Sequence, residues 1–349
     1  MAAAVPPCLA ADAPVESLLG GDPALCGFLR AKGVAALRDL VFLPSWELRD
    51  WLLVPESEAE GVIGRACAAC AAPLVSAWDL RARWAPAVPA PLPSLSAAVG
   101  GGLAGSFLEV AGPPGVGKTQ LCLHLAALAA LEGGEAFWLD TEHAFSPPRA
   151  LELLRALCAG GPEAEGRALE ALQRIRRRAC SSLADVHAIA SDLVQRTREG
   201  AGLPALVIVD SIAAVARNDG DVLAEEQRSW VPKRQAALSA LAGLFKYLVA
   251  FRAAGSSQAP SCVVVTNQVS GDPERGGNKV ALGHVWHHAV NWRVVLSHLP
   301  PGDERGLGAK ENSAGGSRFL HLEKSPCAPP LSLQFLIGPA GLREVGSLG

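Results

Sequence analysis

Gly112-Pro113-Pro114-Gly115-Val116-Gly117-Lys118-Thr119 fits the spacing G-x-x-x-x-G-K-[ST] of a phosphate-binding loop. Its flanks decide how it is read. Phe107-Leu108-Glu109-Val110-Ala111 before it is apolar enough for a buried strand. The run from Gln120 to Leu128 after it is a good helix former without glycine or proline. Strand, glycine turn and helix let backbone amides turn inward around phosphate oxygens, while the helix N-terminus adds its positive dipole end. The nucleotide-binding residues expected here are Gly112, Pro113, Pro114, Gly115, Val116, Gly117, Lys118, Thr119 and Gln120. Lys118 is expected at the β- and γ-phosphates of ATP, and the Thr119 hydroxyl at Mg²⁺. A plain glycine-rich turn would leave Lys118-Thr119 without a reason.

Further along, Leu206-Val207-Ile208-Val209-Asp210 reads as a buried central strand ending in an acid that holds the Mg²⁺ through water. Glu135 to Asp140 reads as another strand, ending in Thr141-Glu142. A carboxylate just past a strand's C-terminal edge lies on the phosphate loop's side of a parallel sheet, so Glu142 is the candidate to activate water; the alternative is a surface acid in a turn. Cys262 to Thr266 is a third strand, ending in Asn267-Gln268, where Gln268 can sense the γ-phosphate and pass the signal to the following loop. Two nucleotide signatures in this order are more specific than either alone.

Composition is consistent with this core. The chain has 349 residues, half of them hydrophobic and 19% charged, with a formal net charge of −3. That excludes a disordered chain and a globally basic nucleic-acid binder, leaving nucleic acid to a local patch or to partners. No apolar run reaches the ~18 residues of a membrane span, and the N-terminus lacks a basic region, so a soluble intracellular protein is expected. Residues 1–75 read as a small helical domain, 76–94 as a proline-rich linker and 95–349 as the α/β domain. Ser45 is a plausible N-cap within the first. Cys67 and Cys70, a C-x-x-C without a second ligand pair, read as buried thiols. Trp78 and Trp84 either anchor a neighbouring subunit or pack onto their own domain. Helices are expected over 164–178 and 183–198; the first carries Arg174, Arg176, Arg177 and Arg178, a nucleic-acid patch or a solvated face. A helix is expected from Pro147, an irregular stretch over Arg217–Trp230 and then a long helix through Leu238 and Leu248. The Ser270–Val280 segment reads as a glycine-rich loop, and strands are expected near 289–297, 317–323 and 331–337. His284, His287 and His288 are read as structural or surface residues.

GPPGVGKTQLC (112–122), LDTEHAF (139–145), LVIVDS (206–211) and TNQV (266–269) together resemble the RecA/RadA-type recombinase ATPases. GRACAACAAPLVSAWDLRARW (64–84), SLSAAVGGGLAGS (94–106), ALGHVWHHAVNWRVVLSHL (281–299) and EKSPCAPP (323–330) are similar to their B-type eukaryotic paralogue. The resemblance implies an α/β RecA-like P-loop ATPase core with a mostly parallel central sheet, preceded by a small helical domain. It implies ATP bound between subunits, Arg149 stacked on adenine, and two DNA loops at Arg217–Trp230 and Ser270–Val280. Their candidate contacts are Arg217, Arg228, Arg275 and Lys279. It further implies a nuclear DNA-repair protein in homologous recombination, working in a complex with the C-type and further paralogues, on single-stranded or branched DNA, beside the main recombinase filament. The linker lacks the Phe-x-x-Ala hook of the main recombinase, which argues against self-assembly. Lys324 replaces an acid near the neighbour's nucleotide and is expected to reach a phosphate across an interface.

Two functions of different class remain. One is an ATPase that binds and slowly hydrolyses ATP, with Glu142, Lys118 and Gln268 as catalytic residues. The other is an interaction scaffold in which ATP is structural. A stand-alone kinase or helicase lacks its motifs.

Overall fold

The computed structural model describes residues 13–19, 23–71, 76–78, 88–103, 105–158, 160–198, 201–218, 227–250, 260–272, 277–298 and 316–346. The chain divides into two compact units, one of Met1–Trp84 with Arg252–Ser257, the other of Ala85–Phe251 with Gln258–Gly349.

In the first unit the described residues form α1 (Glu16–Leu19), α2 (Pro23–Ala31), α3 (Leu37–Val41), α4 (Ser45–Leu52) and α5 (Glu56–Cys70). Leu29, Leu37, Leu40, Leu48 and Val62 meet in a core of their own. Gly33, at φ +88°, supplies the left-handed turn after α2 and lets the Val34 N–H return to the Leu29 carbonyl at 2.9 Å. Pro44, not Ser45, occupies the N-cap position of α4; the Ser45 hydroxyl instead donates to Glu56 Oε1 at 3.4 Å. The expectation of two buried thiols also fails. The buried stripe of α5 runs through Ala59, Val62 and Ala66, which leaves Cys67 exposed and Cys70 half-buried.

The second unit is built on a nine-stranded sheet in the order β11-β10-β9-β8-β1-β5-β4-β2-β3. Its strands are β1 (Phe107–Ala111), β2 (Ala136–Asp140), β3 (Ile175–Ala179), β4 (Leu206–Asp210), β5 (Cys262–Asn267), β8 (Trp292–His298), β9 (Arg318–Lys324), β10 (Leu331–Gly338) and β11 (Gly341–Glu344). From β8 through β1 to β3 all pairings are parallel, and β9 to β11 add an antiparallel extension. The apolar runs of β4 and β5 are buried on both faces, as parallel strands between two helix layers must be. Leu206 and Ile208 point into one core, Val207 and Val209 into the other.

Helices α7 (Lys118–Leu131), α8 (Pro147–Leu157) and α9 (Ala164–Gln173) cover the first face, after a short α6 (Pro93–Ala98). Helices α10 (Leu183–Arg198), α11 (Ile212–Asn218), α12 (Gln227–Ala250) and α13 (Gly283–Ala289) lie on the second. α7 is apolar nearly all round because it is packed between the sheet, α8, α9 and β11.

Several expectations give way here. Residues 164–178 are not one helix: α9 stops at Gln173 and the arginines continue as the edge strand β3, parallel to β2. Acids draw them in, Glu170 with Arg174 at 2.6 Å, Glu135 with Arg176 at 2.9 Å and Asp140 with Arg177 at 2.7 Å. The Arg217–Trp230 stretch is helical at both ends, in α11 and in the first turn of α12. The Ser270–Val280 loop is largely a hairpin, β6 (Val269–Asp272) against β7 (Gly277–Val280), since Ser270 pairs with Lys279. The proline-rich stretch is packed at its far end, with Val88 and Leu92 fully buried. Trp78 is 71% exposed, and Trp84 lies outside the described residues.

Candidate nucleotide site

β1 delivers the glycine loop at the C-terminal edge of the sheet, and α7 begins at Lys118. Gly117 adopts φ +109°, a left-handed conformation that favours glycine at this turn. The first-turn N–H groups of α7, which lack partners within the helix, thus follow directly on the glycine loop. Lys118 Nζ folds back on that loop and donates to the Gly112 and Pro113 carbonyls at 2.7 and 2.9 Å. Burial lowers the pKa of this ammonium, while Asp210 and Glu142 oppose the shift, so both carboxylates lie within its electrostatic reach.

Thr119 Oγ1 donates to Asp210 Oδ2 at 2.8 Å, which joins the two nucleotide signatures directly. The other oxygen, Oδ1, accepts from Thr266 Oγ1 at 2.6 Å. Burial raises the Asp210 pKa against those two hydroxyls. A hydroxyl and an anchored carboxylate side by side are hard oxygen donors, the set that suits Mg²⁺ beside a polyphosphate. The residues present thus fit ATP with Mg²⁺.

The end of β2 is tied to the end of β4. The Ser211 N–H donates to Thr141 Oγ1 at 2.6 Å, and the Ser211 hydroxyl donates to Glu142 Oε1 at 3.1 Å. Glu142 itself is exposed at the edge of the site. Asp140, fully buried, takes Arg177 Nε at 2.7 Å and the Ala144 N–H at 3.0 Å, which shapes the turn that presents Glu142.

Gln268 follows Asn267, whose Oδ1 accepts the Gln268 N–H at 2.7 Å. Asn267 Nδ2 donates to Glu109 Oε1 at 2.7 Å and to the Ala281 carbonyl at 3.1 Å, tying the hairpin base to the loop-bearing strand. Arg217 Nη1 donates to Gln268 Oε1. Arg149 lies beside the loop, with Nε on Gln120 Oε1 at 2.9 Å and its Nη2 on the Gly338 carbonyl at 2.6 Å. Its Nη1 also donates to Glu152 Oε2 at 2.6 Å and to the Pro339 carbonyl at 3.1 Å, so the guanidinium is held from several sides.

The structure thus brings Lys118, Thr119, Glu142 and Asp210 together, with Arg149 at the loop's flank and Gln268 beside its first residue. Arg217 reaches Gln268, whereas Arg275 and the side chains of Arg228 and Lys279 lie outside the described residues. Thr266, Ser211 and Asn267 complete the site; the sequence reading quoted them within TNQV and LVIVDS without giving them a role, and their place at or just past the C-terminal ends of strands is the signal that could have done so. Lys324 Nζ donates to the His287 and Val290 carbonyls at 3.0 and 2.6 Å and so closes the end of α13. That capping role differs from the expected reach to a phosphate. His287 in turn contacts Arg293.

Comparisons with known proteins agree with this geometry. A family model described as an AAA domain matches residues 76–239. The chain is 27% identical to DNA repair protein RAD51 homolog 2 of Mus musculus over 346 residues, covering 88% of this chain and 94% of that one. It is 30% identical to DNA repair protein RAD51 homolog 4 of Bos taurus, covering 70% of this chain and 66% of that one. A solved structure titled as the RadB recombinase superposes with a TM-score of 0.54 at 27% identity, covering 74% of this chain and all of that one. The chain belongs to the RecA/RadA-type recombinase family, with a P-loop ATPase core and likeness to its RAD51 paralogues.

Proposed function

We propose that the protein is an ATP-binding, slowly hydrolysing recombinase paralogue that acts in nuclear homologous recombination as one subunit of a mixed paralogue complex. The observation that carries this is the 2.8 Å bond from Thr119 to Asp210, which sets a hydroxyl and a carboxylate beside the amide-lined loop and Lys118. Mg²⁺ held there would neutralise phosphate charge and orient the triphosphate. Lys118 leaves its two carbonyl partners to bind terminal phosphate oxygens. Glu142 orients water and takes its proton, Gln268 reads the γ-phosphate, and Arg149 offers a guanidinium face to adenine. The Val269–Val280 hairpin is the proposed route to single-stranded or branched DNA.

The relatives named as RAD51 homologs 2, 3 and 4 support a place among DNA-repair paralogues. The proposed partners are the C-type paralogue, further paralogues and the main recombinase filament. Among the described residues no helix is long and apolar enough to cross a membrane. The test is purification of the tagged chain from its native extract with ATP–Mg²⁺. Recovery of recombinase paralogues, lost in Lys118→Ala, is the expected result; an unaccompanied chain indifferent to ATP would overturn it.

One observation favours the scaffold reading. The Glu142 carboxylate accepts from the Ser211 hydroxyl, so the proposed base already has a hydrogen-bond partner within the protein. Phosphate release by wild type and Glu142→Gln, with partner present, separates the two readings: equal rates leave ATP structural.

A further inference from the structure

An amide has two ends, and only its NH₂ can donate to a phosphate oxygen; its carbonyl would repel one. How Gln268 is turned therefore decides whether it can sense a nucleotide at all. In the parallel register of β1 and β5, Ala111 stands opposite Asn267, so Gln268 leaves the sheet level with Gly112 at the mouth of the loop. Its backbone is fixed on both sides, the N–H on Asn267 Oδ1 at 2.7 Å and the carbonyl on the Ala281 N–H at 3.0 Å. The backbone leaves the side-chain rotamer open, and Arg217 Nη1 fixes it by donating to Gln268 Oε1.

A guanidinium carries only donors, so the Gln268 atom facing Arg217 must be the oxygen, whichever way an amide is drawn. Arg217 rides on α11, which starts two residues after Asp210 at the end of β4. β5 lies between β4 and β1 in the sheet. The oxygen is thus claimed from the β4 side, which leaves the NH₂ for the β1 side, where the phosphate loop begins.

We propose that Arg217 is a positioning residue for the nucleotide sensor: by holding Gln268 Oε1 it presents Nε2 to the γ-phosphate. This rests on the nucleotide reading above. It also changes the part expected of Arg217 as a plain DNA contact, because the guanidinium cannot leave for a DNA phosphate without releasing the sensor.

The test measures, for the full chain with Mg²⁺ and without DNA, the affinities for ATPγS and ADP of wild type, Arg217→Ala, Arg217→Lys, Gln268→Ala and the Arg217→Ala/Gln268→Ala pair. A hydrogen bond to a charged group supports roughly a tenfold preference for the triphosphate. Arg217→Ala is expected to lose that preference to the same extent as Gln268→Ala, with ADP affinity unchanged. The double variant loses no more, because one interaction has been removed twice, and Arg217→Lys, which keeps a donor, recovers part. A preference retained in Arg217→Ala, multiplying losses in the double variant, or equal weakening of ATPγS and ADP as a merely structural role gives, each overturns the inference. Equal affinities in wild type overturn it too while leaving nucleotide binding intact. Absence of binding, or binding that Lys118→Ala leaves untouched, removes the nucleotide reading as well.

Discussion

Arg293 Nε lies 2.6 Å from Glu109 Oε2, with both side chains at most 4% exposed, in the middle of the strand that leads into the phosphate loop. Glu109 is the one charged residue of β1, and its other oxygen accepts from Asn267 Nδ2 at 2.7 Å and Trp286 Nε1 at 2.9 Å. A buried carboxylate is tolerated because a guanidinium neutralises it and three N–H donors reach its two oxygens. Removing one partner leaves an uncompensated charge, whereas removing both can be nearly neutral. Arg293→Met should cost about 3–5 kcal/mol in denaturant unfolding. Adding Glu109→Gln should recover more than half of it, since the two N–H donors still find an amide oxygen. Additive losses in that double-mutant cycle would show the pair to be independent.

Lys118→Ala should weaken ATP binding by roughly tenfold to a hundredfold, the loss of one or two charge-assisted hydrogen bonds. Its effect on unfolding without nucleotide should be small, because the ammonium is partly exposed and donates only to two loop carbonyls. Calorimetry with ATP–Mg²⁺ and a thermal melt without it read the two quantities separately.

Glu142→Gln removes a base and keeps the shape and the Ser211 contact. Phosphate release should fall by about 10²–10⁴-fold if Glu142 takes the water's proton, with ATP affinity within a few-fold of wild type. Single-turnover release with partner present measures it.

His124, buried in α7, accepts the Leu342 N–H on Nδ1 at 3.1 Å, so the C-terminal hairpin is fastened to the loop helix by a neutral imidazole. Burial, aided by the nearby Arg149 charge, lowers its pKa from 6.5 to about 4. The unfolded chain binds the proton more readily. The stabilisation is therefore complete above pH 6.5 and drains away as pH falls from 6.5 towards 4, by about 3 kcal/mol in all. His124→Gln retains an acceptor and does not titrate. Its melting temperature should lose less than that of wild type between pH 7 and pH 4.5, and parallel curves for the two proteins would refute the assignment.

The elements of the α/β core were legible because their patterns are local. Gly112 to Thr119, the Leu206–Asp210 run and the Asn267-Gln268 pair each carry their meaning within a few residues, and buried parallel strands announce themselves as unbroken β-branched runs. Where neighbours far along the chain decide, the reading failed. Arg176 to Arg178 have good helix propensity, yet β2 offers a hydrogen-bonding edge and Glu135 and Asp140 supply counter-charges, so they extend as a strand. Ser270 to Val280 looked like loop because glycines hide an alternation that only pairing reveals.

The letters alone determined the class of fold and the place of the loop, hydroxyl and terminal acids proposed to hold a triphosphate, since these follow from short-range spacing. Tertiary structure alone decided that Thr119 meets Asp210, that Glu109 is neutralised by Arg293, and that Arg217 grips the Gln268 amide. Those partners are 91, 184 and 51 residues apart, and contacts at such separation depend on strand order and register, which no local pattern encodes.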